Sequence, residues 1–280
     1  MHPSALKFGG LFFELYGDSF SDAIVVDIGS QDVNGSLHDS APKNSKYIGV
    51  DFVSGKNVDI VLDDPYKIPF EDNSIDIVVC SSVFEHSQLF WVLFLEIIRI
   101  LKPEGVLYLN APSNGYIHRY PVDCWRFYPD SGLALIEWAK LNGYNPSLLE
   151  SFIGDKNYQI DSQETWWNDY CAVFVKDISR AHLHNNRLLN KIDNYTNAYC
   201  DNTSIDKKEN FLTDDFLLIR EANSKIKNLE LALSKCNTDN SILAKEKLDL
   251  SVEKENIYGN LEAITKITNL LEAENKNKSS

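Results

Sequence analysis

The chain of 280 residues is long enough for one complete α/β domain with an appendage, and its 44% hydrophobic content is ordinary for a globular protein. The net charge is −14, and residues 1–180, with 25 Asp or Glu against 13 Lys or Arg, carry −12 of it. Such a negative field repels phosphate backbones and anionic lipid, which argues against nucleic acid as a partner.

The cysteines and the hydropathy pattern indicate a cytoplasmic protein. The five cysteines are scattered without paired ligand spacing, which is typical of a reducing compartment. The amino terminus lacks the pattern of a secretory signal, and no later segment is both apolar and long enough to cross a bilayer. The sequence therefore predicts no membrane span.

Apolar, β-branched runs alternate with helical stretches along the first 180 residues. This order is typical of a doubly wound, mostly parallel sheet that helices cover on both faces. Strands are predicted at residues 23–28, 46–51, 58–62, 75–81, 106–111 and 170–176. Helices are predicted at residues 88–101 and 129–142. A helix stop is predicted at 102–105, and the segment after Gly143 is expected to be irregular. Because a long connection precedes it, the last strand is expected to be an antiparallel addition to the sheet.

The composition changes after Lys176, and the chain ends in a heptad pattern. Residues 1–180 are predicted to form the globular domain, 181–212 a helical, Asn-rich linker, and 213–276 a coiled coil. Eight heptads run from Ile219, and every d position is compatible with burial. Asn240 and two lysines at central a positions favour a parallel dimer. An amphipathic helix that folds back on the globular domain is the alternative.

Two carboxylates stand at the ends of the first two predicted strands: Asp27 in IVVDIGS and Asp51 in YIGVDF. The carboxyl ends of parallel strands meet at one edge of a sheet, where a carboxylate can accept hydrogen bonds from ribose hydroxyls. Gln31 and Asp32 occupy positions that a dinucleotide-binding loop reserves for small residues, which disfavours a nicotinamide dehydrogenase. The pattern predicts a site for another nucleoside-containing molecule.

The segments VVDIGS, YIGVDF, LDDPYKIPFEDNSIDIVVCSSVFEH and EIIRILKPEGVLYLNAP follow one another over residues 23–112. In this order they resemble the class I, Rossmann-like S-adenosylmethionine-dependent methyltransferases, in particular the type 11 group. The resemblance implies a seven-stranded sheet and S-adenosylmethionine as the cofactor.

The resemblance also implies which residues bind the cofactor. They all lie at or just after strand ends: Asp27, Gly29, Ser30, Asp51, Phe52, Asp63, Asp64 and Ser81. Asp27 and its neighbours are expected to shape the loop around the amino-acid part, and Asp51 to hold the ribose beside Phe52. Asp64 or Asp63 is expected to receive the adenine amine, and Ser81 to face the methionine portion. Capping or solvated-turn roles remain open for the aspartates.

The segment after the fifth predicted strand, APSNGYIHRYPVDCWRFYPDSG, is the candidate acceptor site. Its H-x-x-P-x-D-x-W-R-[FY] pattern resembles one in methyltransferases encoded with bacterial surface-polysaccharide genes. His118 is the candidate general base, and Asp123 is expected to orient it or to bind a sugar hydroxyl. The candidate sugar contacts are Trp125, Arg126 and Tyr128. An Asp123–Arg126 ion pair with aromatic packing is the structural alternative.

Three further residues have weaker patterns. His86 is a second candidate base, and the alternative for it is a structural, hydrogen-bonded role. Trp166 and Trp167 either close the acceptor pocket or pack within the domain. The histidines form no HExxH or Cys–His set, so no metal is predicted.

The resemblance and the candidate residues together predict an S-adenosylmethionine-dependent O-methyltransferase. Its expected acceptor is a sugar hydroxyl in bacterial surface polysaccharide, O-antigen or capsule, with chain termination as a more specific role. One alternative is methylation of a free small metabolite or an amine. Another is a non-catalytic, cofactor-binding coiled-coil scaffold that recruits a partner such as a glycosyltransferase.

Overall fold

The computed structural model describes residues 3–154, 168–205 and 213–278. The chain forms two compact units, Met1–Asp215 and Phe216–Ser280. The elements are α1 (Pro3–Tyr16), β1 (Ile24–Ile28), β2 (Lys46–Asp51), β3 (Ile60–Val61), β4 (Ile75–Ser81), α2 (Phe90–Ile100), β5 (Leu101–Pro112), α3 (Ser131–Leu141), β6 (Ser147–Gly154), β7 (Asp169–Val175), β8 (Tyr195–Cys200), β9 (Thr203–Ser204) and α4 (Asp214–Lys278).

The strands form one sheet in the order β3-β2-β1-β4-β5-β7-β6-β8-β9. The pairings from β3 to β5 are parallel, and those from β5 to β9 are antiparallel. Only β7 and β8 run against the direction of the other strands, so the fold is Rossmann-like with a mostly parallel sheet. The expected number of seven strands is wrong, because the part of the chain that the structure describes contributes nine.

Several predicted elements occur where the sequence placed them, and others do not. β2 and β4 have the predicted bounds, and β7 is antiparallel to its neighbours as predicted. α2 ends at Ile100, just before the predicted stop at 102–105, but the strand predicted from residue 106 begins earlier, since Leu101 already pairs with Ile75 of β4. The segment after Gly143, expected to be irregular, contains the fully buried strand β6.

Both faces of the sheet are covered. Alternate residues of β1 point to opposite sides, so that Val26 joins the hydrophobic cluster under α2 and α3 and Val25 joins the cluster under α1. On the α1 side, the rings of Phe12 and Tyr108 stack with centroids 4.9 Å apart. Burial of such a side chain stabilises the fold by about 1.5–3 kcal/mol. The carboxyl ends of the parallel strands are left at one edge of this core.

Glu150 of β6 forms hydrogen bonds with residues that are distant from it in the sequence. Its carboxylate accepts hydrogen bonds from the Tyr16 hydroxyl at 2.6 Å and from the backbone N–H groups of Leu188 and Leu189 at 2.8 and 3.0 Å. Burial raises the pKa of this carboxyl. Three hydrogen bonds satisfy a group that would be costly to bury alone.

The segment expected to be a linker, 181–212, is part of the globular unit where the structure describes it. Two 3₁₀ helices, Ile178–Leu183 and Leu188–Asn190, are followed by β8 and β9, which extend the sheet beyond β6. The compact unit therefore extends to Asp215 instead of ending at residue 180.

α4 is one continuous helix of 65 residues over the region expected to form the coiled coil. Its heptad a and d side chains are exposed in the single chain, for example Leu229 at 69% and Leu250 at 65%. Among the described helices, none has the length and apolar character that a bilayer crossing requires.

Candidate active site

The carboxyl ends of β1, β2 and β4 form the crevice where the strand order changes direction, because β1 pairs with β2 on one side and with β4 on the other. The loop after β1 contacts both neighbours. Its Gly29 and Ser30 N–H groups donate to the Val50 carbonyl of β2 at 2.8 and 3.3 Å, and Gly29 packs against Val83 after β4. The structure thus brings together the predicted cofactor residues of these three strands.

Gly29 is required by this loop. Its φ of +77° lies in the left-handed region, and a Cβ at this position would overlap a methyl carbon of Val83. The absence of a side chain allows the loop after β1 to approach the loop after β4 closely.

Asp27 is an interior residue of the crevice. Its carboxylate accepts a hydrogen bond of 2.7 Å from the Tyr47 hydroxyl of β2. Burial raises the pKa of Asp27 to about 7, opposed by the Tyr47 hydrogen bond and assisted by the charge of Asp51. The side chain thus links β1 and β2, and its role in shaping the loop around the cofactor stays a prediction.

Asp51 lies at the rim and has spare acceptor capacity. Its two oxygens receive the backbone N–H groups of Gln31 at 3.2 Å and Val53 at 3.1 Å. A carboxylate offers about four acceptor positions, so this arrangement leaves places for two hydroxyl groups. The ring of Phe52 is half exposed next to it.

Asp63 and Asp64 lie in the turn after β3. Asp63 is exposed. Asp64 accepts a hydrogen bond of 2.9 Å from the Tyr66 N–H and lies 3.8 Å from the Lys67 ammonium. This is the geometry of a solvated turn, which was the structural alternative for the pair, and adenine binding by either residue stays a prediction.

Two buried hydroxyls fit a polar ligand in the crevice. Ser30 Oγ and Ser81 Oγ, at the ends of β1 and β4, have no hydrogen-bond partner among the described residues. Buried polar groups are nearly always hydrogen-bonded, so a cofactor with amino, carboxyl and hydroxyl groups suits these positions. When bound, S-adenosylmethionine supplies a methyl group on a positively charged sulfur.

The loop between β5 and α3 contains the candidate acceptor residues. The buried Asp123 carboxylate accepts two hydrogen bonds from the Arg126 guanidinium, at 2.5 and 2.8 Å, and one from the His118 N–H at 2.7 Å. The Arg126 hydrogen bond is the main cause that lowers the pKa of Asp123 to about 2. Arg126 also donates to the Tyr116 carbonyl at 2.8 Å. The ion pair that was the structural alternative is therefore formed, and Arg126 supports the loop.

His118 and His86 face each other above this ion pair. Their ring centroids are 4.8 Å apart with the planes nearly perpendicular. His118 Nδ1 lies 3.3 Å from Asp123 Oδ2, and burial lowers the pKa of His118 despite that carboxylate. A lowered pKa keeps the imidazole neutral at physiological pH, which a proton acceptor or a metal ligand requires.

The loop after β4 and the loop after β5 are joined by hydrogen bonds. The Cys124 N–H donates to the Glu85 carbonyl at 2.7 Å, and the Trp125 indole N–H donates to the Ser87 carbonyl at 2.9 Å. His86 Nδ1 lies 2.5 Å from the Val122 carbonyl oxygen. The histidine pair is thus fixed from both loops.

Exposed aromatic side chains surround the pair. Tyr116 and Tyr120 are 57% and 71% exposed, and their rings lie 6.2 and 6.3 Å from the His118 ring. Tyr128 is exposed, while Trp125 is partly covered by its edge contact with Phe90. Trp166 and Trp167 lie outside the described residues.

Glu85 is a site residue that sequence reasoning missed. Its side chain is buried, and burial raises its pKa to about 8. Its Oε2 has no hydrogen-bond partner among the residues described, and its Oε1 lies 3.7 Å from His86 Nε2. The sequence signal for Glu85 is its position in SSVFEH, directly before His86.

One family model matches the part of the chain that forms the crevice. Residues 9–109, about a third of the chain, match the family model described as "Methyltransferase domain". This match supports an S-adenosylmethionine-dependent methyltransferase domain in the first part of the chain. The match spans the region from α1 to most of β5, which contains every predicted cofactor residue. No curated protein matches the sequence significantly.

Solved structures with a similar fold include other methyltransferases. One is an S-adenosylmethionine-dependent methyltransferase from Archaeoglobus fulgidus, with 18% identity and a TM-score of 0.44, covering 61% of this chain and 94% of that one. Another is the 1,6-didemethyltoxoflavin-N1-methyltransferase from Burkholderia thailandensis, solved with S-adenosylhomocysteine, with 12% identity and a TM-score of 0.46, covering 62% and 79%. Neither similarity bears on the acceptor of this chain.

Proposed function

We propose that this methyltransferase transfers the methyl group to a sugar hydroxyl during assembly of a bacterial surface polysaccharide, with chain termination as its specific role. The observation that carries the proposal is the His86–His118 pair, set among exposed aromatic rings at the end of β5. The H-x-x-P-x-D-x-W-R-[FY] pattern of the same loop supports a polysaccharide acceptor, because it resembles one in methyltransferases encoded with bacterial surface-polysaccharide genes.

The aromatic surface supports a sugar as acceptor. Large exposed aromatic side chains in one loop are typical of a binding surface, and their flat, apolar faces suit the C–H faces of a sugar ring. Tyr116, Tyr120 and Tyr128 supply such faces, and their hydroxyls can hydrogen-bond to the sugar edge. Trp125 borders this surface, and Arg126 contributes by holding the loop.

Transfer of a methyl group from a sulfonium needs an aligned nucleophile and little water. In the proposed arrangement Asp51 binds the ribose hydroxyls, and Ser30 and Ser81 bind the amino-acid end. A sugar hydroxyl must also lose its proton. The neutral imidazole of His118, with His86 beside it, activates the hydroxyl for this step, while Asp123 keeps His118 in place.

The oligomer is part of the proposal. In α4, apolar side chains repeat at heptad spacing and are exposed in the single chain, which supports pairing with a second copy in a parallel dimeric coiled coil. Such a coil spans roughly 80 Å over residues 219–271 at 1.5 Å per residue, and it can hold the methyltransferase unit at a distance from its attachment point. A glycosyltransferase is the proposed further partner.

Methyl transfer to a glycan tests the function. The full chain is incubated with S-adenosylmethionine and surface glycans of different composition, and a mass gain of one CH₂ unit on a sugar is the expected result. His118→Ala should lower kcat by about 10²–10⁴-fold, because a group that assists proton removal contributes this much. Its affinity for S-adenosylhomocysteine should be unchanged, and His182→Ala, at an exposed position outside the site, is the matched control.

The other outcomes separate the alternatives. Methylation of a free metabolite or an amine but of no glycan would replace the acceptor class. Binding of S-adenosylhomocysteine without transfer to any acceptor would favour the scaffold. For the oligomer, sedimentation of a chain truncated after Asp215 should give a monomer where the full chain gives a dimer, and an unchanged oligomer would contradict the coiled coil.

A further inference from the structure

We infer that Glu85, His86 and His118 bind one divalent transition-metal cation of the Zn²⁺ type at the junction of the loops after β4 and β5. One ligand atom from each side chain, a carboxylate oxygen and two imidazole nitrogens, lies within 4.8 Å of the other two. Ligands around a single Zn²⁺ at about 2.0–2.2 Å are roughly 3.5 Å apart in a tetrahedral site. Shifts of about 1 Å in the side chains therefore complete the coordination.

The chemistry of the three donors selects the type of cation. Two imidazoles and one carboxylate are the ligand set of catalytic zinc sites, which keep a fourth position open, and of other first-row metal sites. Mg²⁺ and Ca²⁺ prefer oxygen ligands alone, so this set disfavours them. The rings of Tyr116 and Tyr120 lie beside the two histidines, so the cation would border the surface proposed for the acceptor.

A carbonyl and a carboxylate lie next to the Nδ1 atoms of the two histidines. His86 Nδ1 lies 2.5 Å from the Val122 carbonyl oxygen, an acceptor that places the proton on Nδ1 and leaves Nε2 with its lone pair. His118 Nδ1 lies 3.3 Å from Asp123 Oδ2, within ion-pair distance, and Asp123 also accepts the His118 backbone N–H. Carbonyl and carboxylate partners of this kind orient the histidine ligands of most metal sites.

The charges around Glu85 favour a cation. The carboxylate is 1% exposed, and its Oε2 has no hydrogen-bond partner in the described part of the chain. The charged groups that act on it are Asp123 and Asp169 on the negative side and Arg126 on the positive side. Arg126 already donates two hydrogen bonds to Asp123. A bound divalent cation would favour the ionised form of this carboxyl, which burial alone disfavours, and would coordinate it as its proton is released.

The cation also gives the site a way to activate the acceptor. A hydroxyl bound to Zn²⁺ would lose its proton more easily, because the cation stabilises the alkoxide. The proton would pass to solvent water, since His86 and His118 would then act as ligands and not as bases. This consequence rests on the proposed function, whereas the binding of the cation does not.

Metal binding is measured on the full chain, freed of metal and of any histidine tag, by titration with Zn²⁺ without cofactor or acceptor. We expect one ion per chain. Glu85→Gln, His86→Ala and His118→Ala should each weaken binding by more than about 100-fold, and Asp123→Asn by about 10–100-fold, the range typical of a residue that orients a ligand. His182→Ala, at an exposed position, is the matched control and should bind as the wild type does.

A second measurement uses only the wild type, so that it does not depend on folding of the variants. Zn²⁺ should protect His86 and His118, but not His182, from modification by diethyl pyrocarbonate in a peptide map. A wild-type chain that binds no Zn²⁺, ligand variants that bind as well as the control, or equal modification with and without Zn²⁺ would each overturn the site. Failure of the proposed function is seen separately, as absent methyl transfer by the Zn²⁺-loaded chain.

Discussion

Replacement of Gly29 by alanine tests how the crevice is built. Two penalties are expected. The φ of +77° disfavours any residue with a Cβ by about 1–2 kcal/mol, and the overlap with a Val83 methyl carbon adds an overpacking cost of about 1–3 kcal/mol. Gly29→Ala should thus lower the free energy of unfolding by about 2–5 kcal/mol.

A second glycine and a second substitution separate these penalties. Gly143 has a φ of +85°, but a Cβ added there would meet no atom within 4 Å, so Gly143→Ala should show the backbone cost alone. Val83→Ala removes the methyl carbon that Gly29→Ala would meet, and the next nearest Val83 atom, Cβ, is at an ordinary 3.6 Å. The double variant Gly29→Ala/Val83→Ala should therefore be about 1–3 kcal/mol more stable than the sum of the single effects predicts.

The assay is urea unfolding of the wild type and the four variants, followed by titration with S-adenosylhomocysteine. Gly29→Ala should weaken binding of this ligand, because relief of the contact moves the loop after β1, whereas Gly143→Ala should not. Additive stabilities in the double-mutant cycle, or equal costs at the two glycines, would refute the argument from the Val83 contact.

Buried and rim carboxylates provide three further predictions. Asp27 has a pKa of about 7 in the folded chain and of 3.8 in the unfolded chain, so the folded state binds more protons. The free energy of unfolding, measured in urea, should therefore fall by about 3 kcal/mol from pH 5 to pH 8 relative to that of Asp27→Asn. Asp51→Asn should weaken S-adenosylhomocysteine binding by about 10–100-fold in calorimetry, the value of one hydrogen bond to a charged group. Glu150→Gln should lower the free energy of unfolding, measured in urea, by about 2–4 kcal/mol, because the new amide NH₂ group would face a backbone N–H donor.

Each of these predictions has a matched control. If the free energy of unfolding changed with pH equally for wild type and Asp27→Asn, the raised pKa of Asp27 would be contradicted. Asp39→Asn, at a side chain 97% exposed, should leave binding unchanged, and a loss equal to that of Asp51→Asn would point to a nonspecific effect. Glu137→Gln, at an exposed position on α3, should cost less than about 0.5 kcal/mol, and a similar cost at Glu150 would contradict the role of its hydrogen bonds.

The parallel half of the fold could be predicted from sequence because its signals are local. β2 and β4 are short, β-branched and bounded by turn residues, and their ends carry the crevice residues. β6 could not be predicted in the same way, since Glu150 interrupts its apolar pattern. The partners that make this carboxylate tolerable come from Tyr16 and Leu188, and the first of them is 134 residues away. Only the folded chain brings them together.

The candidate site shows the same division. Gly29 and Asp51 could be proposed from the sequence because a nucleoside site imposes residue types at strand ends, and their binding of the cofactor stays a prediction. The role of Arg126 could not be read from its position, because one arginine can serve equally well for a sugar or for Asp123, and the structure places it on Asp123. Glu85 depends on a contact between two loops, 33 residues apart in the case of His118, which no local pattern reveals.

The hydrogen bonds that join the loops after β4 and β5 have a consequence for engineering. Cys124 and Trp125 donate to carbonyls of the other loop, and His86 lies against Val122, so neither loop has an independent conformation. Transplanting residues 113–130 from a relative to change acceptor preference would leave donors and acceptors mismatched across the seam. A graft that exchanges residues 82–89 at the same time preserves those bonds, and the pair of segments is therefore the natural cassette for redesign.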